Sequence, residues 1–273
     1  MGLGRMGYVK VEKYQLFFEE HHGEGPGILM LPSSGLGPKH WSGLQEITQN
    51  RLSYSLSYLH YPPSDLWRES RGPKIEIDFL AAERLLALLV EKGGSAVDLV
   101  GHSYGGFLAL SLAKKYPDRV RRMVLFEPIA WGVLRFDSQN EILKVEFENL
   151  CQKLFFQGLL EDDWLRAFLD FWNYEGFWES LGGKRKGYWK NLYPKVYAEV
   201  KTLCLDDKGL SCWAGLKHPI RILRGEKGPE AQHEVCKILL KGLENSELVE
   251  TIGGHMAPIT HPKKILPLFA EWL

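Results

Sequence analysis

Little in this sequence announces a charged, metallic or membrane-bound partner. Lysine plus arginine equals aspartate plus glutamate at 34 each, so no net field invites nucleic acid or an anionic lipid surface. Clusters such as Lys184-Arg185-Lys186 and Arg119-Arg121-Arg122 read as solvated faces. No apolar stretch approaches the ~18–20 residues needed to span a bilayer. The amino end, Met1-Gly2-Leu3-Gly4-Arg5-Met6-Gly7, lacks the apolar core of a signal peptide, and Met6 stands where myristoylation requires Ser or Thr. A cytoplasmic location is the resulting expectation. Cysteine is scarce and scattered: Cys151, Cys204, Cys212 and Cys236 have no close metal-type pairing. Cys204 and Cys212 are near enough in sequence for a disulfide, but free buried thiols fit better. There is no internal repeat, no low-complexity stretch, no phosphate loop and no dinucleotide fingerprint. These absences predict a small-molecule substrate as the partner, with no cofactor, metal, nucleic acid or membrane, and they specify no oligomeric state.

What is present is an ordinary globular composition, 45% apolar and 25% charged, in a chain long enough for one large domain or a domain with an insertion. Alternating apolar residues between Tyr8 and Glu20 predict two antiparallel strands. The run Ile28-Leu29-Met30-Leu31 predicts a strand buried on both faces. A helix over about Trp41–Gln49 and a strand over Leu52–Leu59 follow, then a helix over Ile75–Lys92 with a buried stripe of Ile77, Leu80, Ala81, Leu85, Leu88 and Leu89. Val97–Val100 reads as a strand, Phe107–Tyr116 as a helix ended by Pro117-Asp118, and Met123–Phe126 as a strand. The alternation stops from about Ser138 to Asp207, which is helical in pattern and dense in aromatics. It resumes with a strand at Ile220–Leu223, a helix over about Glu230–Leu243, a strand at Glu247–Ile252 and a last helix from Lys263. Strands alternating with helices predict a mostly parallel, doubly wound sheet covered on both faces. The expected organisation is a core of residues 1–137 and 208–273 with an inserted helical cap, or lid, at 138–207.

Gly101-His102-Ser103-Tyr104-Gly105 matches G-x-S-x-G between a predicted strand and a predicted helix. In that frame the Ser occupies a sharp, strained turn that projects its hydroxyl above the sheet edge, and the flanking glycines let neighbouring backbone approach closely. Ser103 is thus the candidate nucleophile.

The chain resembles the α/β-hydrolase superfamily over nearly its whole length. The residues that carry the resemblance are the turn around Ser103, the phrase Lys115-Tyr116-Pro117-Asp118-Arg119-Val120 after the following helix, and Gly254-His255-Met256-Ala257-Pro258 near the end. The resemblance implies the α/β-hydrolase fold. It also implies that His255, in the loop after the last strand, is the general base that takes the Ser103 proton and returns it to the leaving group. His102 inside the turn reads as a packed, hydrogen-bonded residue, and the remaining histidines lack motif context. Two backbone N–H groups should form the oxyanion hole, one from Tyr104 and one from the loop after the third strand. Many members carry His-Gly there; this chain has Pro32-Ser33, and alignment of the turn makes Ser34 the second donor.

The third member of the triad departs from the common pattern. Much of the family places an Asp after the seventh strand in a Gly-x-x-Asp context, but here Gly225-Glu226-Lys227-Gly228 puts a glycine at that position. Some members, haloalkane dehalogenases among them, place a Glu after the sixth strand, and Glu127-Pro128 offers one. Glu127 is therefore the expected partner of His255, with Glu226 and Glu230 as alternatives. The following proline biases Glu127 toward extended backbone.

A Ser–His–acid set favours attack on an acyl carbon and a covalent acyl-enzyme resolved by water. Hydrolysis of a carboxylic ester or thioester is the first reading. Carbon–carbon bond hydrolysis and acyl transfer reuse the same parts, and a non-catalytic receptor on this fold is the reading from another class, its one hint being the missing Asp. A Ser nucleophile excludes dehalogenase or epoxide-hydrolase chemistry, which in this fold uses a carboxylate. Trp131, Trp164, Phe168, Phe171 and Trp172 are the candidate substrate-binding residues, predicting a small, hydrophobic substrate.

Overall fold

The short apolar runs are strands because their β-branched and long aliphatic side chains are buried on both faces of one sheet. The computed structural model describes residues 5–69, 74–94 and 96–273; Met1 to Gly4, part of the amino end considered above, lie outside them. Among the described residues the strands are β1 (Arg5–Val11), β2 (Tyr14–His21), β3 (Ile28–Leu31), β4 (Ser53–Leu56), β5 (Val97–His102), β6 (Val120–Phe126), β7 (Ile220–Gly225) and β8 (Ser246–Thr251). They form one eight-stranded sheet in the order β1-β2-β4-β3-β5-β6-β7-β8. The pairs β1–β2 and β2–β4 are antiparallel and all the others parallel.

Successive side chains on each central strand go to opposite faces. Ile28, Met30, Val100, Val124, Phe126 and Leu223 meet α1 (Ser42–Ile47) and, later in the chain, α11 (Pro262–Ala270) in one apolar cluster. Leu29, Leu31, Leu99, Met123, Leu125 and Ile222 meet α2 (Glu76–Gly93), α3 (Tyr104–Lys115) and α9 (Glu230–Gly242) on the other face. The sheet is thus covered on both sides, as the alternation of strands and helices predicts.

Between β6 and β7 the chain is helical: α4 (Trp131–Asp137), α5 (Glu141–Phe156), α6 (Glu161–Trp172), α7 (Phe177–Ser180) and α8 (Gly183–Cys204). The first of these helices begins before residue 138. Asn140 caps α5, its side chain accepting from the Leu143 N–H at 3.2 Å. α6 carries Glu161, Asp162 and Asp163 in its first turn, where the helix dipole favours negative charge, and buries Trp164, Leu165, Phe168, Leu169 and Trp172. These residues extend the second cluster without a break. All four cysteines are free; Cys212 is half-exposed and the other three are buried.

Candidate active site

α3 starts at Tyr104, three residues earlier than the sequence pattern suggests, because the turn that carries Ser103 must lead straight into it. Gly105 and Gly106 are poor helix formers and mask this start in the sequence. Ser103 sits at φ 57°, ψ −118°, a conformation costly for a residue with a side chain. Neighbouring strands hold it: its N–H donates to the Phe126 carbonyl at 3.0 Å, and its carbonyl accepts from Gly106 and Ile129 at 2.9 and 3.2 Å. The two glycines of the motif are required by proximity. A Cβ on Gly105 would lie 2.1 Å from the Leu31 carbonyl oxygen, and one on Gly101 would lie 2.7 Å from the Gly105 oxygen. As the first residue of α3, Tyr104 has an N–H with no carbonyl partner within the helix.

His255 follows β8 in the loop before α10 (Ala257–Thr260) and is 3% exposed. Its Nδ1 lies 2.6 Å from Glu127 Oε2. Glu127 is fully buried, and its other oxygen accepts the Gly225 N–H at 2.9 Å, so the buried carboxylate has a donor for each oxygen. The extended geometry expected before Pro128 is not what the chain adopts. Glu127 has φ 42°, in the left-handed region, because the backbone must bend at the sheet edge while its N–H donates to Leu223 at 2.9 Å. The vacant Asp position is explained by space. A Cβ on Gly228 would come within 2.7 Å of Glu127 Oε1. A side chain at position 228 would therefore have to displace the Glu127 carboxylate. Glu226 and Glu230 are exposed, and Glu230 lies 3.8 Å from His233 Nδ1, not at His255.

His102 ties the nucleophile turn to the base loop. Its Nε2 is 2.9 Å from the His255 carbonyl, so that nitrogen carries the proton and Nδ1 is left to accept from His40 Nε2 at 3.2 Å. Burial, with His255 nearby, holds His102 well below the usual histidine range and pushes His40 down to about 3. Both rings therefore stay neutral in the folded protein.

Ser103, His255, Ser33 and Ser34 open onto one cavity of about 90 Å³. Among the described residues no hydrogen bond joins Ser103 to His255; such pairs commonly tighten only around a reacting substrate. Trp131, Phe168 and Trp172 line the cavity. Trp172 stacks on the His255 ring with centroids 3.8 Å apart and on Trp131 at 5.7 Å. Trp164 and Phe171 do not line it, which corrects the expectation from the aromatic pattern. Trp164 packs among Phe168, Tyr193 and Tyr197, and Phe171 packs edge-on against Trp172. Phe177, Trp189, Val200, Leu203 and Met256 line the cavity instead. Met256 is signalled by its place after His255; Val200 and Leu203 have no signal in the sequence. Among the described residues no three His, Cys, Asp or Glu side chains converge as a metal site, and no helix is long and apolar enough to cross a membrane.

Residues 68–144 match the family model described as alpha/beta hydrolase fold. The chain is 29% identical over 123 residues to the 1-acylglycerol-3-phosphate O-acyltransferase ABHD5 of Rattus norvegicus, covering 44% of this chain and 33% of that protein. It is 53% identical over 45 residues to the (Lyso)-N-acylphosphatidylethanolamine lipase of Homo sapiens, covering 16% of this chain and 13% of the lipase. These matches span a third or less of either relative's length. Among solved structures, an alpha/beta hydrolase enzyme from a Medee basin deep-sea metagenome library superposes with TM-score 0.71 at 18% identity, covering 97% of this chain and 96% of the other. A thermophilic esterase from Thermogutta terrifontis gives TM-score 0.68 at 18% identity over 98% and 97%. The haloalkane dehalogenase DatA of Agrobacterium tumefaciens gives 0.70 at 18% over 98% and 96%, so the likeness is one of fold and crosses reaction types. With this sheet order, these helices on both faces and these structural neighbours, the chain has the α/β-hydrolase fold.

Proposed function

We propose that this protein is a serine hydrolase that cleaves a carboxylic ester or thioester of a hydrophobic acyl group. The observation that carries the reading is the 2.6 Å contact between His255 Nδ1 and the buried Glu127, set beside a strained Ser103 on the same cavity. In this reading Ser103 Oγ attacks the acyl carbon while His255 Nε2 takes its proton. Glu127 accepts the hydrogen bond of the Nδ1–H, fixing the tautomer and stabilising the imidazolium. The face of Trp172 against the ring adds a cation–π contribution to that same charged state. The Ser34 and Tyr104 N–H groups bind the oxyanion. His255 then protonates the departing alcohol or thiol, and in the second half it activates the water that releases the acid and restores Ser103.

The helices of residues 138–207 act as a cap whose apolar side chains receive the acyl group. A cavity of about 90 Å³ is smaller than the ~150 Å³ that admits benzene, so a short acyl group fits and a longer one requires Trp172 to move. One observation favours acyl transfer as a second reading: the matched relatives include a protein named as an O-acyltransferase. A hydroxyl acceptor would then replace water in the second half. A fluorophosphonate should label native protein at Ser103 and leave Ser103→Ala untouched, and native protein should turn over short activated esters. Absence of both labelling and turnover would sink the hydrolase reading in favour of a non-catalytic receptor. Acyl acceptor alcohols that divert most of the product from free acid to new ester would favour transfer.

A further inference from the structure

Three ionisable side chains lie completely out of solvent between α2 and α8. Asp78 comes from α2, and Lys195 and Glu199 come from successive turns of α8. Lys195 Nζ pairs with Asp78 and lies 3.2 Å from Glu199 Oε1, all three groups being 0% exposed. Burial alone would pull the Lys195 ammonium down, but the two carboxylates outweigh it and hold it above the usual lysine range. Burial pushes both carboxyls up against the pull of Lys195.

Such a cluster is a poor way to gain stability, since well-packed apolar residues of similar volume commonly do as well or better. What distinguishes it is where its arms end. On the Asp78 side, Oδ2 accepts the Tyr104 hydroxyl at 3.0 Å, and Oδ1 accepts the Leu59 N–H at 2.9 Å. On the Glu199 side, Oε2 accepts the Tyr61 hydroxyl at 2.7 Å, and the nearby Ser34 side chain draws the carboxyl down against its burial. The Gly35 N–H lies near enough to Tyr61 to pull its hydroxyl down against burial. The rest of the turn is tied in the same way: Tyr58 donates to the Pro32 carbonyl at 2.9 Å, and Tyr188 of α8 donates to the Gly35 carbonyl at 2.8 Å. One arm therefore ends on Tyr104, and the other reaches the Ser34–Gly35 turn through Tyr61, beside the direct Tyr188 bond to Gly35.

We propose that the Asp78–Lys195–Glu199 cluster is the positioning device of the oxyanion site, through which helix α8 sets the spacing between the Ser34 and Tyr104 N–H groups. This rests on the hydrolase reading above. Glu199 touches no reacting atom; it is a positioning residue that acts on the Ser34–Gly35 turn by way of Tyr61. An oxyanion donor is felt in the transition state and hardly at all in the ground state, so displacing one should lower kcat and leave KM alone.

The test compares Glu199→Leu, Glu199→Gln and Tyr61→Phe with the native protein, using a short chromogenic ester and an alkyl trifluoromethyl ketone. The ketone adds to Ser103 and presents an oxyanion. Glu199→Leu should lower kcat by about 30–100-fold with KM within about threefold, and weaken ketone binding by a similar factor. Glu199→Gln, which can still bond Tyr61, should recover kcat to within about fivefold of native. Tyr61→Phe keeps the ring and guards against a misfolded Glu199→Leu; it should lower kcat and ketone affinity together by about five- to tenfold. The proposal is overturned if folded Glu199→Leu or Tyr61→Phe keeps native kcat and ketone affinity. It is equally overturned if Glu199→Gln loses as much as Glu199→Leu, or if losses only track the unfolded fraction. Native protein that neither labels nor turns over esters instead defeats the hydrolase reading itself.

Discussion

The parallel sheet and the helices between β6 and β7 both bury large apolar surfaces, but they contribute to the site in different ways. Every residue of β3, β4 and β5 is buried, and the loops leaving β5, β6 and β8 carry Ser103, Glu127 and His255. Their backbone positions are set by strand pairing, and two of the three residues nearest the chemistry, Ser103 and Glu127, sit at positive φ that only a rigid surround can hold. The helices contribute no member of the proposed triad. They supply the aromatic wall of the cavity, the ring stacked on His255, and the Lys195 and Glu199 arms behind the Pro32–Gly35 turn. In the proposed reading, reactive groups rest on the part of the molecule that is hardest to deform, while selectivity and fine placement come from the part inserted between two strands.

The largest expected effect tests the first half of that contrast. Ser103→Ala and His255→Ala should each lower ester turnover by at least ~10³-fold with thermal unfolding close to native, since triad members act as a unit. A variant that keeps a tenth of native activity would show that the sheet edge does not hold the chemistry. Next comes Glu127→Gln, which should lower kcat by about 10²–10³-fold while Ser103 still labels, because His255 loses its orienting anion. Glu226→Gln, at an exposed position beside it, should stay within about threefold; the reverse pattern would move the acid to the β7 loop.

The helical half predicts a change of preference in place of a loss of chemistry. Trp172→Ala should raise the ratio of kcat/KM for a long acyl ester over a short one by about tenfold, as expected for one pocket wall. An unchanged ratio across acyl lengths would remove Trp172 from the substrate path. The smallest effect concerns stability. The folded protein keeps His40 neutral down to about pH 3, whereas the unfolded chain takes up that proton near 6.5. Acid therefore favours the unfolded state, and stability falls as the pH drops through 6.5. Between pH 7 and 5 native protein should lose about 1–2 kcal/mol more in urea unfolding than His40→Phe, allowing for the partial exposure of this ring. Equal losses in the two proteins would show that His40 is charged in the folded state.

How far the site could be read in advance depended on the range of the interactions involved. G-x-S-x-G is a local signal, because the close approaches that require Gly101 and Gly105 arise within a few residues of Ser103 and along β3. The aromatic stripe of α6 gave the right face and the wrong depth. Trp164, Phe168 and Trp172 share one helix face, but eight residues along a helix are about 12 Å, so Trp172 reaches His255 while Trp164 ends among the tyrosines of α8. Lys195 and Glu199 stand four residues apart on α8, a spacing common on helix surfaces; their burial against Asp78 of α2 is a property of helix packing.

The sequence alone determined the order of strands and helices and the strained serine turn, because each depends on periodicity or on short-range sterics, while the histidine loop was read from the family resemblance. The missing Asp already pointed to Glu127, with Glu226 and Glu230 as alternatives, and tertiary structure decided which carboxylate stands at His255. Glu127 and Gly228 are far apart in the chain, yet they meet at the edge of β6 and β7, where a side chain at 228 would run into the Glu127 carboxylate.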